Sequence, residues 1–249
     1  MKPSILILGG ASEGYALADV LAADARWQLI NSLAGRTGIP RLPPGEIRMG
    51  GFGGVAGLVG FLRQRAIDAV IDATHPFADT MGWNAAQACE QAQVPLLRLE
   101  RPAWEPEPGD QWSLVDDWNQ AIHQLEQQQA RRVLLALGRQ EIAAFAGLDQ
   151  IWFLLRMVMP LQPLPPFAAA EVLLERGPFD LAHERTLLAQ QAIDTIVCRN
   201  SGGTATSAKL IAAREQGIRV ILRRRPVRPQ VPTVARLDEA VRWLERIEH

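Results

Sequence analysis

The chain has 249 residues, of which 48% are hydrophobic and 21% charged, with a net charge of −1. This composition fits one large or two smaller globular domains, and the balanced charge offers nothing to a nucleic-acid partner. No apolar run reaches the roughly 18 residues of a membrane-spanning helix, the two cysteines lack metal-site or disulfide spacing, and no signal-peptide pattern precedes the first strand; a cytoplasmic protein with no membrane partner and no metal is expected.

ILILGGASEG, residues 5–14, runs from an apolar strand (Ser4–Leu8) through a glycine turn into a segment of helical spacing (Glu13–Ala23). Gly9 and Gly14 fit the first and third positions of the dinucleotide-binding turn G-x-G-x-x-G, and Ala11 stands at the second. Ser12 and Glu13 then fall near a helix N-terminus, whose free N–H groups favour an anion. The next strand, Trp27–Leu33, leads into NSLAGRT. A carboxylate that would hold the ribose hydroxyl of NAD is missing there, and Ser32 and Arg36 are present. An arginine at this place suits the extra phosphate of NADP.

Glu46–Met49 reads as a short strand, followed by the glycine loop Gly50–Gly54 and a helix over Val55–Arg65. Ala69–Asp72 reads as a strand ending in DATHPF, which puts Thr74 and His75 where ligands of open parallel sheets bind. A helix (Ala78–Gln91) and a strand (Pro95–Leu99) complete a first half.

ERPAWEPEPGDQW, residues 100–112, has the prolines of a domain junction. Beyond it the pattern restarts with a helix (Trp118–Gln128), a strand (Val133–Leu137), a short helix (Glu141–Ala146) and a strand (Ile151–Met157). After the loop MPLQPLPPF come a helix (Phe179–Ala192), a strand (Thr195–Cys198), a helix (Thr204–Gln216) and a strand (Arg219–Leu222). The loop RRRPVRPQVP and a closing helix (Asp238–Ile247) follow. The alternation predicts an α/β protein of two βα halves, 1–100 and 101–249, with mainly parallel sheets.

NSGGTATSAK, residues 200–209, repeats the logic of strand, glycine turn and helix, so that Asn200 to Thr206 can offer donors to an anion. Lys209 is conspicuous, since Lys2 is the one other lysine among 26 basic residues. Tyr15 is the sole tyrosine and Asp19 lies four residues on, which excludes a Tyr-x-x-x-Lys catalytic pair. G-x-S-x-G, H-E-x-x-H and a P-loop are absent as well.

Taken in order, ILILGGASEG, SLAGRT, GGFGG, DATHPFA, ERPAW, LALGRQE, RGPF and NSGGTATSAKLIAAREQGIRVILRRRP resemble the precorrin-6A reductases of cobalamin biosynthesis over nearly the whole chain. Arg199 departs from the family's more usual lysine before NSGG. The resemblance implies two Rossmann-like domains with a cleft between them, NADPH as cofactor, and hydride transfer to one double bond of the precorrin-6A macrocycle with protonation of the adjacent carbon. It implies that Gly9, Gly10, Ala11, Ser12, Glu13, Ser32, Arg36, Gly51 and Thr74 meet NADPH. Asn200, Ser201, Gly202, Thr206 and Lys209 would serve the substrate side, with Lys209 as a catalytic candidate and His75 as a candidate proton donor. Arg98, Arg101 and Arg139 are candidates for the substrate carboxylates. Neighbouring enzymes of the corrin pathway are candidate partners. A cobalt-precorrin-6A reductase using NADH, a two-lobed nucleotide-binding module without chemistry and a two-lobed glycosyltransferase are the alternatives.

Overall fold

The computed structural model describes residues 2–34 and 42–247. The chain divides into two compact units, Met1–Pro102 with Pro226–His249 and Ala103–Arg225. Each unit has its own six-stranded sheet, and every pair of neighbouring strands is parallel.

In the first unit the strands are β1 (Ser4–Leu8), β2 (Gln28–Leu33), β3 (Glu46–Met49), β4 (Ala69–Asp72), β5 (Leu96–Leu99) and β12 (Thr233–Val234). Their order is β12-β5-β4-β1-β2-β3. All five residues of β1 are buried. Such strands read as unbroken apolar runs because helices cover both faces. Ile5 and Ile7 pack with α1 (Ser12–Ala22) and α7 (Leu237–Ile247) on one face. Leu6 and Leu8 pack with α2 (Gly54–Gln64) and α3 (Asp79–Ala92) on the other. Burial of each such side chain stabilises the fold by about 1.5–3 kcal/mol. The chain leaves β1 toward β2 and β3, then crosses back to β4 on the opposite side of β1. This reversal is the switch point beyond which parallel sheets open a crevice. The register sets Leu8 abreast of both Ser32 and Asp72, so three loops start side by side.

The second unit contains β6 (Trp112–Val115), β7 (Arg132–Ala136), β8 (Trp152–Met157), β9 (Ala170–Leu174), β10 (Thr195–Arg199) and β11 (Arg219–Arg223). They are ordered β6-β11-β10-β7-β8-β9, with the reversal between β7 and β10. Helices α4 (Trp118–Gln127), α5 (Leu181–Gln190) and α6 (Ala208–Gln216) cover it. The expected helix near 141–146 is a 3-10 turn, Ile142–Phe145, which buries Ile142 and Phe145.

Two expectations are corrected. The division at residue 100 assigns everything after it to the second half, whereas Pro226–His249 belongs to the first unit. There β12 extends the first sheet, with Thr233 opposite Arg98 and Val234 opposite Leu99, and α7 buries Ala240 and Leu244 in that unit's core. The proline-rich 226–232 stretch is the returning connection. Strands β6, β9 and β12 are also additional to the expected elements. All three are sheet edges and are largely exposed or half-buried, so they lack the apolar run that marks a central strand.

Candidate functional site

In the first unit, the carboxyl ends of β1, β2, β3 and β4 open into a cavity of about 560 Å³, within the usual range of ligand sites. Backbone bonds carry the sheet pattern past the strand ends and form its floor. Gly9 N–H donates to the Ser32 carbonyl (2.9 Å), Gly50 N–H to Leu33 (2.9 Å) and Ala73 N–H to Leu8 (3.0 Å). Of the residues anticipated from sequence, Gly9, Gly10, Ser32, Gly51, Thr74 and His75 line this one cavity. Arg36 lies outside the described residues.

Glycine is needed at two places in the first turn. Gly10 has φ +126°, and a Cβ there would meet nothing, since it would point into open space. A Cβ on Gly14 would stand 3.2 Å from the Cα of Gly9 and force helix and strand apart. The first helical turns at the cavity also lack side-chain caps: α1 begins after Ala11, α2 after Gly53 and α3 after Ala78, with no capping bond at any of them. By contrast, α4 and α5 are capped by Asp117 and Asp180. Residues Gly10, Gly53, Gly54, Asp79 and Thr80 at these uncapped turns line the cavity, where first-turn N–H groups and helix dipoles favour an anion; the Ala78 N–H is itself taken by the His75 carbonyl (2.7 Å).

Ala11, Ser12 and Glu13 are expected on the wall but do not line it. Ala11 is buried at the start of α1. The Ser12 hydroxyl donates to Glu13 (3.2 Å), and Glu13 pairs with Arg101 at 2.6 Å. This pair engages both side chains. Arg98 is corrected more firmly. It is 6% exposed, with its guanidinium directed to Asp72 (3.5 Å) and the Pro229 carbonyl (3.1 Å). Burial, then the neighbouring Arg228 charge, lowers its pKa.

His75 Nδ1 accepts a 3.2 Å bond from the Phe77 N–H, which leaves Nε2 as the proton-bearing nitrogen of the neutral ring. Sequence reading misses Arg48, which fastens the glycine loop: it donates to the Gly50 and Gly51 carbonyls at 2.6 and 2.7 Å and stacks 3.8 Å from the Phe52 ring centre. Tyr15 and Asn84 also line the cavity. Their side-chain types carry no local signal of that placement.

In the second unit, Asn200 to Ser207 join β10 to α6, with Gly202 and Gly203 both at positive φ. Asn200 is committed internally: its Oδ1 accepts from Trp104 N–H (2.8 Å) and its Nδ2 donates to the Trp104 carbonyl (2.9 Å). Arg225 donates to the carbonyls of Asn200 (3.1 Å) and Ser201 (3.2 Å). Lys209 is 5% exposed. Its Nζ donates to the Thr206 carbonyl (2.7 Å) and lies 4.8 Å from the Trp104 ring centre. Burial pushes its pKa below 10.5. Lys209, expected as a catalytic candidate, thus lies buried against this loop. Arg139, just past β7, is half-buried.

The family model described as precorrin-6x reductase CbiJ/CobK matches residues 4–245. A precorrin-6A reductase of Sinorhizobium sp is 46% identical over 248 residues, covering 100% of this chain and 94% of the relative. One from Rhodococcus erythropolis is 44% identical over 242 residues, 96% of each chain. A solved structure titled CobK precorrin-6A reductase superposes with a TM-score of 0.93 at 41% identity, covering 98% of this chain and 97% of that one. With the glycine-lined crevice, the full-length match and the shared fold all in agreement, this chain belongs to the precorrin-6x reductase family.

Proposed function

We propose that this chain reduces one double bond of the precorrin-6A macrocycle in cobalamin biosynthesis, with NADPH as cofactor. A reductase of this family implies a nicotinamide nucleotide. The observation that carries the cofactor assignment is the cavity at the carboxyl ends of β1 to β4, lined by the glycines at 9–10 and 50–54 and by the uncapped starts of α2 and α3. It fits an anionic dinucleotide: glycine backbone permits close approach, and N–H groups without side-chain partners await an acceptor. The preference for NADPH rests on the end of β2, where Ser32 stands and Arg36 follows four residues later. No carboxylate stands in NSLAGRT to repel the extra ribose phosphate of NADPH.

The bound cofactor supplies the hydride. The chain's own residues hold and orient it: Gly9, Gly10 and Gly51 by backbone, Ser32 and Thr74 from the cavity wall. His75, whose Nε2 carries the ring proton while Nδ1 accepts from the Phe77 N–H, serves as proton donor or orders a water that does. Arg139, Ser201 and Gly202, just past strand ends of the second unit, and Thr206, just before α6, serve the acidic side groups of the macrocycle.

Calorimetric titration with NADPH and NADH tests the reading. Wild type is expected to prefer NADPH, and Arg36→Ala to lose about 10–100-fold in NADPH affinity, as for one charge-assisted hydrogen bond, with NADH unchanged. Equal losses for both cofactors refute the role of Arg36. Failure of the folded protein to bind either one refutes the cofactor site.

A further inference from the structure

We infer that Arg228 is a positioning residue of the cofactor site, holding the Asp72–His75 turn in the shape that walls the cavity. The inference rests on the cofactor assignment above. Arg228 lies on the connection that returns to the first unit, 156 residues from Asp72 in sequence. Its Nη2 donates to Asp72 Oδ2 (2.6 Å) and to Thr74 Oγ1 (3.2 Å), and its Nη1 to Glu100 Oε2 (2.7 Å). Its side chain is 6% exposed and that of Asp72 1%.

The cavity residue at the end of this chain of bonds is Thr74. Asp72 Oδ1 accepts from both the N–H (3.1 Å) and the hydroxyl (2.6 Å) of Thr74. The Thr74 hydroxyl therefore donates to Asp72 and accepts from Arg228, which fixes its direction. Arg98, opposite Asp72 in register, is only 3.5 Å away and anchored to Pro229. It supplies countercharge, whereas Arg228 supplies the short bonds and the link to Thr74.

Helix α3 makes room for this side chain at one residue. A Cβ on Gly82 would lie 2.5 Å from Arg228 Nη2 and 2.8 Å from its Nε. Alanine at 82 displaces the guanidinium while preserving every charge, and alanine is the better helix former. Gly82→Ala thus disturbs the placement of the guanidinium without removing a charged group, and thermal unfolding reads its cost in stability.

The test is NADPH titration and thermal unfolding of wild type, Gly82→Ala, Arg228→Lys, Thr74→Val and the Arg228→Lys/Thr74→Val pair. A lysine ammonium cannot span Thr74, Asp72 and Glu100 together, so Arg228→Lys loses the geometry and keeps the charge. The expected result is a rise of about tenfold in NADPH Kd for Gly82→Ala and Arg228→Lys, the scale of a small misplacement at a site, measured where both are folded. The double variant is expected to lose less than the sum of the two single losses, because both substitutions disturb the same Asp72–Thr74 turn. An unchanged Kd in either folded single variant, or strictly additive losses in the pair, overturns the inference. A wild type that binds no nicotinamide nucleotide overturns the cofactor assignment and this inference with it.

Discussion

Asn200 grips Trp104 on both backbone groups, accepting from its N–H at 2.8 Å and donating to its carbonyl at 2.9 Å. The amide thereby acts as a strand neighbour for a segment that has none, and the Trp104 indole in turn donates to the Gly203 carbonyl (2.8 Å). The NSGG loop is built around that tryptophan.

Removing this grip exposes its worth. Asn200→Ala leaves the half-buried N–H and carbonyl of Trp104 without this partner, so a loss of about 1–3 kcal/mol in unfolding free energy is expected. Urea denaturation followed by tryptophan fluorescence measures it. A loss below about 0.5 kcal/mol, the range of ordinary surface changes, is incompatible with the grip.

Lys209 makes stability depend on alkaline pH. Its folded-state pKa lies below 10.5, chiefly through burial, so the unfolded chain holds this proton more tightly. The cost of the buried charge is present in full below the folded value. It is relieved as pH rises through that value toward 10.5. Wild type is therefore expected to gain stability relative to Lys209→Met across that window. Urea midpoints of the two proteins at a series of pH values check this, and a constant difference counts against it.

Gly10 has a sharper prediction than its neighbours. Gly10→Ala meets the left-handed penalty at φ +126°, about 1–2 kcal/mol, and its methyl group stands in the cavity. Both stability and NADPH affinity should fall. Gly60→Ala, in α2 with open space around its Cβ, is the control, expected to stabilise slightly and leave binding alone. Calorimetry on both variants decides; equal affinities would remove Gly10 from the cofactor turn.

The alternation of strands and helices and the glycine turns at strand ends are legible in the amino-acid order, because these signals are local. A central strand such as Ser4–Leu8 is apolar throughout because both its faces are covered, and Gly10 is glycine because of its own φ. Hence Gly9, Gly10, Ser32, Gly51, Thr74 and His75 are recognisable from their motifs, and all six share one cavity. The partners of the charges and the edges of the sheets depend instead on how the chain folds back on itself. A buried guanidinium must find a carboxylate or carbonyl, and which one it finds depends on distance in space. Arg98 turns inward to Asp72, Glu13 meets Arg101, and Arg228 reaches Asp72 across 156 residues of chain. Nor does a proline-rich stretch reveal where the chain goes next: residues 226–249 return to the first sheet because β5 has an open edge for β12 and the core has room for α7.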